Sequence, residues 1–152
     1  MLAVKSPAEL TELFRARGLK VTPQRQAIFR ILHGAETHPT AESVYAAVTR
    51  DMPTVSLRTV YQTLNDLAEM GELMQLDLGT GSSRFDPNLD EHHHLVCNGC
   101  GRVVDVNADT SGLRVAPRQR HGFDIDTTEI VFRGVCPDCR ARNQQTRKDI
   151  DA

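Results

Sequence analysis

His92-His93-His94-Leu95-Val96-Cys97-Asn98-Gly99-Cys100 sets three histidines directly before a Cys-x-x-Cys pair, and a second pair, Cys136-Pro137-Asp138-Cys139, lies further along. These pairs hold all four cysteines of the chain. Four thiolates presented on two tight turns suit a closed, tetrahedral zinc site. Such a site would staple distant segments of a small domain that has little core of its own. A pair of redox-active dithiols is the competing reading, but the βαβ context of thioredoxin-like motifs is missing.

The histidines point to a second, open site. On a strand His92 and His94 share a face, while His93 points the other way. Asp105 falls in the next strand, Asp86 at the start of a turn-rich linker and His38 in a bend before a helix. A site using His38, Asp86, His92, His94 and Asp105 would mix nitrogen and oxygen donors. That mixture suits divalent iron, manganese, cobalt, nickel or zinc better than it suits a sealed zinc cage. His33 and His121 read as ordinary surface or helix-end residues.

Upstream of the histidines the chain is punctuated by helix starts and stops. Ser6-Pro7-Ala8-Glu9 predicts a capping box and a first-turn proline, followed by Leu10, Leu13 and Phe14 on one face, with Gly18 as the stop. Thr22-Pro23 opens a second helix with Ala27, Ile28, Ile31 and Leu32 inside. Thr40 caps a third, with Val44, Tyr45 and Val48 inside. Ser56 caps a fourth, Leu57 to Met70, whose inner face is Val60, Leu64, Leu67 and Ala68. Arg58, Thr59, Tyr61 and Gln62 are left on its outer face. Residues 73–78 and 82–85 then read as two short strands about a Gly-rich turn. Helices followed by a hairpin are the order of a winged helix-turn-helix, whose last helix is the one for the DNA major groove. Beyond Asp86-Pro87-Asn88-Leu89-Asp90, short strands are expected at 95–96, 103–106 and 130–132. The 109–122 connection is expected to be partly helical, and 143–152 to be a polar, frayed tail.

The chain has 152 residues and a formal net charge of −2, so composition alone does not announce a nucleic-acid binder. The distribution says more: residues 1–35 carry six basic and two acidic groups, whereas from Asp86 onward eleven acidic groups face nine basic ones. A basic front on an acidic back suits a DNA-facing domain joined to a metal-binding one. No apolar run is long enough to span a bilayer, and Met1 to Ser6 is too short and polar to be a signal peptide. The expected location is the cytoplasm.

Taken together, Gly18-Leu19-Lys20-Val21-Thr22-Pro23-Gln24-Arg25, His38-Pro39-Thr40-Ala41, Ser56-Leu57-Arg58-Thr59-Val60-Tyr61-Gln62-Thr63-Leu64, the His92–Gly101 stretch and Cys136-Pro137-Asp138-Cys139 resemble the ferric uptake regulator family of metal-dependent repressors. The resemblance runs over nearly the whole chain. It implies an α+β protein: a winged-helix DNA-binding domain at 1–85, a hinge at 86–90, and an α/β metal-binding dimerisation domain at 91–142 ahead of the polar tail. It implies a homodimer on a double-stranded operator, structural zinc on Cys97, Cys100, Cys136 and Cys139, and regulatory Fe²⁺ or Mn²⁺ (with Zn²⁺ or Ni²⁺ as alternatives) on His38, Asp86, His92, His94 and Asp105. Candidate DNA contacts are Lys20, Arg25, Ser56, Arg58, Thr59, Tyr61, Gln62 and Arg84.

Aspartate at both 86 and 105, where iron sensors more often carry glutamate, resembles the peroxide-sensing branch. There, oxidation of His38 or His92 would relieve repression. A further family site uses an acidic residue between the histidines and a histidine near the last strand. Here His93 and Thr128 occupy those places, so that site is expected to be missing. The alternatives are a plain metal-responsive repressor, a metalloenzyme and a thiol switch. No general base or nucleophile accompanies the histidines, so an enzyme is not expected.

Overall fold

The computed structural model describes residues 4–35 and 38–150, the side chains of Lys148 and Asp149 excepted. Met1 to Ala3 and the last two residues of the expected tail thus lie outside the described residues. The chain divides into two compact units, residues 1–90 and 91–152.

The first unit holds helices α1 (Pro7–Ala16), α2 (Pro23–His33), α3 (Ala41–Asp51) and α4 (Leu57–Glu69), then strands β1 (Met74–Leu76) and β2 (Arg84–Asp86). Local chemistry starts and stops the helices. Glu9 N–H donates to Ser6 Oγ at 3.2 Å and Ser6 N–H to Glu9 Oε2 at 2.8 Å, a closed capping box. Thr22, Thr40 and Ser56 cap the other three in the same position. After α4, Gly71 at φ +75° lets Glu72 N–H reach Leu67 O at 2.9 Å. After α1, Gly18 at φ +70° lets Leu19 N–H reach Phe14 O at 2.9 Å. Both are left-handed glycine caps that satisfy otherwise orphaned carbonyls.

The apolar faces close on one core of Leu10, Phe14, Ile28, Phe29, Leu32, Val44, Val48, Val60, Leu64, Leu67 and Phe85. Phe14 and Phe29 meet edge to face at 4.9 Å. Periodicity alone would leave Phe29 outside and Ile31 inside; in fact Phe29 is fully buried and Ile31 only half so. Thr11 likewise takes an inward place in α1, where Leu13 was expected. It satisfies its hydroxyl on Pro7 O at 2.7 Å.

Strands β1 and β2 are antiparallel, with Gln75 opposite Phe85. Strand β2 is also stitched to the bend before α3: Thr40 bridges Arg84, and Phe85 N–H donates to Pro39 O at 2.9 Å. Asp86 therefore ends a strand and is 1 % exposed, whereas the sequence puts it at the start of a turn-rich linker.

The second unit is built on a three-stranded sheet in the order β4-β3-β5, from β3 (His93–Cys97), β4 (Val103–Val106) and β5 (Val131–Gly134). Strand β3 runs antiparallel to β4 and parallel to β5. Between β4 and β5 the described chain has only one 3₁₀ turn, Pro117–Gln119. The partly helical connection expected there reduces to that turn, because Gly112 and Pro117 interrupt any longer run. The expected frayed tail is corrected instead: α5 continues from Pro137 to Ile150. Its Asn-Gln-Gln-Thr-Arg-Lys run includes several good helix formers and follows a proline-started turn, so the helix propagates although it buries little.

Candidate metal centres and nucleic-acid interface

Cys97 ends β3, Cys100 closes the turn into β4, and Cys136 and Cys139 flank the start of α5. One sulfur from each lies within 4.8 Å of the others. All four are free thiols, and Cys100 Sγ and Cys136 Sγ stand 3.8 Å apart. The backbone is arranged for sulfur anions. Cys136 N–H and Gly99 N–H each donate to Cys97 Sγ at 3.3 Å, and Arg142 donates to Cys139 Sγ at 3.0 Å. Hydrogen bonds from the Cys136, Cys100 and Gly99 backbone pull Cys97 down to about 6. At Cys139 the Arg142 contact pulls downward, but burial and the three neighbouring sulfurs outweigh it and push the thiol up to about 11. Four such thiols cannot all ionise side by side without a cation among them, and a soft tetrahedral cation fits this donor set. Gly99 is required for space: a Cβ there would stand 2.9 Å from Cys139 Sγ.

The other candidate ligands form two half-sites, one in each unit. In the first, His38 Nε2 is 2.9 Å from Asp86 Oδ2, with the two side chains 8 % and 1 % exposed. Asn88 N–H donates to Asp86 Oδ1 at 2.8 Å, and Arg84 donates to His38 O at 2.9 Å. In the second, His92 Nε2 and His94 Nε2 converge on one oxygen, Asp105 Oδ1, at 3.1 and 3.4 Å. The β3–β4 register produces this by setting His94 opposite Asp105. The two rings lie 4.6 Å apart. His93 faces the other way, and its Nδ1 accepts from Ile130 N–H at 3.2 Å. Behind His94, Nδ1 lies 3.3 Å from Glu129 Oε1. A carboxylate that near favours the charged imidazole by proximity, although the contact lacks hydrogen-bond geometry. Sequence reasoning missed Glu129, because nothing in its spacing ties it to the histidines.

The candidate DNA contacts divide by exposure. Lys20, Ser56, Arg58, Tyr61 and Gln62 are exposed and Thr59 is half-buried. Ser56 is committed as the cap of α4 and also meets Thr59 Oγ1 at 3.0 Å. Arg25 is turned inward instead. Its side chain is 11 % exposed, it pairs with Asp66 at 3.2 Å, donates to Lys20 O at 2.9 Å and lies over the Phe14 ring at 5.2 Å. Arg84, through its contact with the carbonyl of His38, belongs to the first half-site. The structure thus gives two of the candidate phosphate-binding arginines internal work.

The profile of the ferric uptake regulator family matches residues 16–133. A peroxide-responsive repressor, PerR, from Staphylococcus aureus strain Mu50 is 36 % identical over 127 residues, covering 83 % of this chain and 86 % of that protein. Among solved structures, the ferric uptake regulator of Helicobacter pylori superposes with a TM-score of 0.73 at 19 % identity, over 92 % of this chain and 97 % of that one, a likeness of fold. The ferric uptake regulator of Pseudomonas aeruginosa, solved with manganese, superposes at 0.61 with 28 % identity, over 84 % and 97 % of the two chains. The fold, the paired cysteine turns and the match along most of the sequence agree, and this chain belongs to the ferric uptake regulator family.

Proposed function

We propose that this protein is a metal-dependent, DNA-binding transcriptional repressor that senses peroxide through oxidation of a histidine at its regulatory site. The observation that carries the reading is the pair of half-sites. His38 with Asp86, and His92 and His94 with Asp105, each aim imidazole Nε2 at an aspartate oxygen. One divalent cation held jointly by the five would tie the DNA-reading unit to the sheet unit. The aspartates at 86 and 105 and the 36 % identity to a peroxide-responsive repressor favour the peroxide branch. Ferrous iron held by these residues would supply the one-electron chemistry that splits the O–O bond of peroxide; overall, one peroxide oxygen would go to a carbon of the His38 or His92 ring in place of its hydrogen, and the other oxygen would leave as water. A ring that has gained oxygen is a poorer ligand, so the two halves part and the DNA is released.

The four cysteines hold structural zinc in this reading. The partner is a second copy of the chain. Leu95, Val104 and Phe132, 45, 40 and 43 % exposed, are direct cross-strand neighbours in the β3–β4 and β3–β5 registers, so one sheet face is an apolar patch. On the double-stranded operator, α4 lies in the major groove with Tyr61 and Gln62 at base edges. Arg58 meets phosphate and Lys20 the adjacent minor groove. Swinging such an assembly from mostly open to mostly closed takes ~5.5 kcal/mol of differential binding, well within the reach of several metal–ligand bonds. The protein acts in the cytoplasm, as a regulator and not as a catalyst. No helix among the described residues is long and apolar enough to cross a membrane.

The test is operator binding with Mn²⁺ or Fe²⁺ loaded, before and after peroxide, with mass spectrometry of the peptides. The reading expects release only for the iron form, with one added oxygen on the His38 or His92 peptide. Retained binding and unmodified peptides would leave a plain metal-responsive repressor. His92→Ala should lose metal-dependent DNA binding while keeping its zinc and its dimer; metal-stimulated binding by that variant would remove the joint site.

A further inference from the structure

Tyr61 stands on the outward face of α4 and is 38 % exposed, yet its hydroxyl is not left to solvent. It donates to Glu42 Oε1 at 2.5 Å, across from the first turn of α3. Glu42 is itself exposed and is the first-turn acid of that helix. A carboxylate is out of place on a surface meant to meet phosphates, because it repels them and weakens binding to every duplex alike. Its position at the positive end of α3 favours the ionised form. The bond from Tyr61 holds the Glu42 carboxyl below its usual range, and the same contact raises the Tyr61 phenol.

We infer that Glu42 is a specificity-determining positioning residue: it clamps the Tyr61 ring in one orientation before DNA arrives, giving up overall affinity for discrimination between bases. The inference rests on the reading of α4 as the DNA-facing helix. An exposed tyrosine otherwise samples several rotamers, and fixing one of them in advance removes an ordering cost from binding. The anchor is an ionic acceptor, which makes the bond stronger and more directional than one to a neutral group. The anchor also sits in the first turn of α3. Glu42 follows Thr40, the cap of α3, which bridges Arg84, and the same bend carries His38.

The experiment uses the full-length, Mn²⁺-loaded protein. The probes are the duplex it selects most strongly from a randomised pool and the single-base variants of that duplex. Glu42→Ala and Tyr61→Phe should each reduce discrimination at the same base positions by roughly tenfold, the scale of one base contact, and the double variant should lose no more than either alone. Glu42→Gln keeps an acceptor without the charge, so it should keep most of the discrimination while binding all duplexes more tightly. Far-ultraviolet dichroism and the thermal midpoint of each variant establish that it is folded. If Tyr61→Ala loses discrimination and Glu42→Ala does not, the clamp is refuted while the α4 reading survives. If Glu42→Ala merely raises affinity for all duplexes equally, the carboxylate only repels and the inference fails. If Tyr61→Ala changes nothing, the placement of Tyr61 at the bases fails, and the clamp with it.

Discussion

Arg25 shows how far a single residue can depart from what its charge suggests. It lies in a basic front and in a family-like motif, so it reads as a phosphate contact. Its guanidinium is instead sandwiched between the Phe14 ring and Asp66, 41 positions away in sequence. Cation–π contact and a shielded ion pair together contribute on the order of 1–3 kcal/mol. Arg25→Ala should therefore lower the thermal midpoint clearly, while the slope of DNA affinity against salt stays that of the parent. An unchanged midpoint with a shallower salt slope would return Arg25 to the DNA surface. The same limit explains which parts of the sites were legible. The cysteine pairs and the alternation of His92 and His94 are local signals, and spacing conveys them. The hydrogen bond from Tyr61 to Glu42, the proximity of Glu129 to His94 and the inward turn of Arg25 depend on helices and strands meeting, which no local spacing encodes.

At the scale of elements, the signals that held were those with a local physical cause. Ser6, Thr22, Thr40 and Ser56 each cap the helix expected of them because a side-chain oxygen three residues upstream of a backbone N–H needs no tertiary partner. The glycine stops are equally local. At Gly71, φ is +75° and no atom lies within 4 Å of where a Cβ would sit, so the cost of a side chain there is purely conformational. Gly71→Ala should lose about 1 kcal/mol, the price of a left-handed residue, seen as a lower urea midpoint with an unchanged slope; a loss of several times that would mean that the turn also packs. Where elements were misjudged, the local pattern was ambiguous. Residues 143–150 carry no apolar stripe, and a sequence without a stripe reads as a tail even when it is composed of good helix formers. Asp86, next to a proline, reads as linker, but pairing with Met74 across the β1–β2 ladder makes it a strand end.

At the scale of the whole molecule, the two units differ in what holds them. The first has a continuous apolar core. In the second, the buried apolar residues described are only Val96, Cys97, Val103 and Cys139, while Leu113, Val115, Phe123, Ile125, Phe132 and Val135 all remain exposed. A unit of that kind needs staples or a partner, and the zinc and the second copy proposed here meet those two needs separately. Beside the cysteine turns, Leu95, Val104, Val135 and Pro137 line an apolar groove of about 400 Å³. Phe132 stands on the sheet next to Leu95, and its side chain is not one of the sulfur donors. Placing a carboxylate on that patch penalises association, since a buried unpaired charge is far more costly than an exposed one, yet it asks nothing of the cysteines. Phe132→Glu should therefore sediment as a monomer at concentrations where the parent is a dimer, while retaining zinc through dialysis. Removing zinc with a chelator should instead unfold the second unit and leave the helical signal of the first. A dimeric Phe132→Glu protein would move the interface off this face, and a second unit that stays folded without metal would mean that its sheet is sustained by the partner alone.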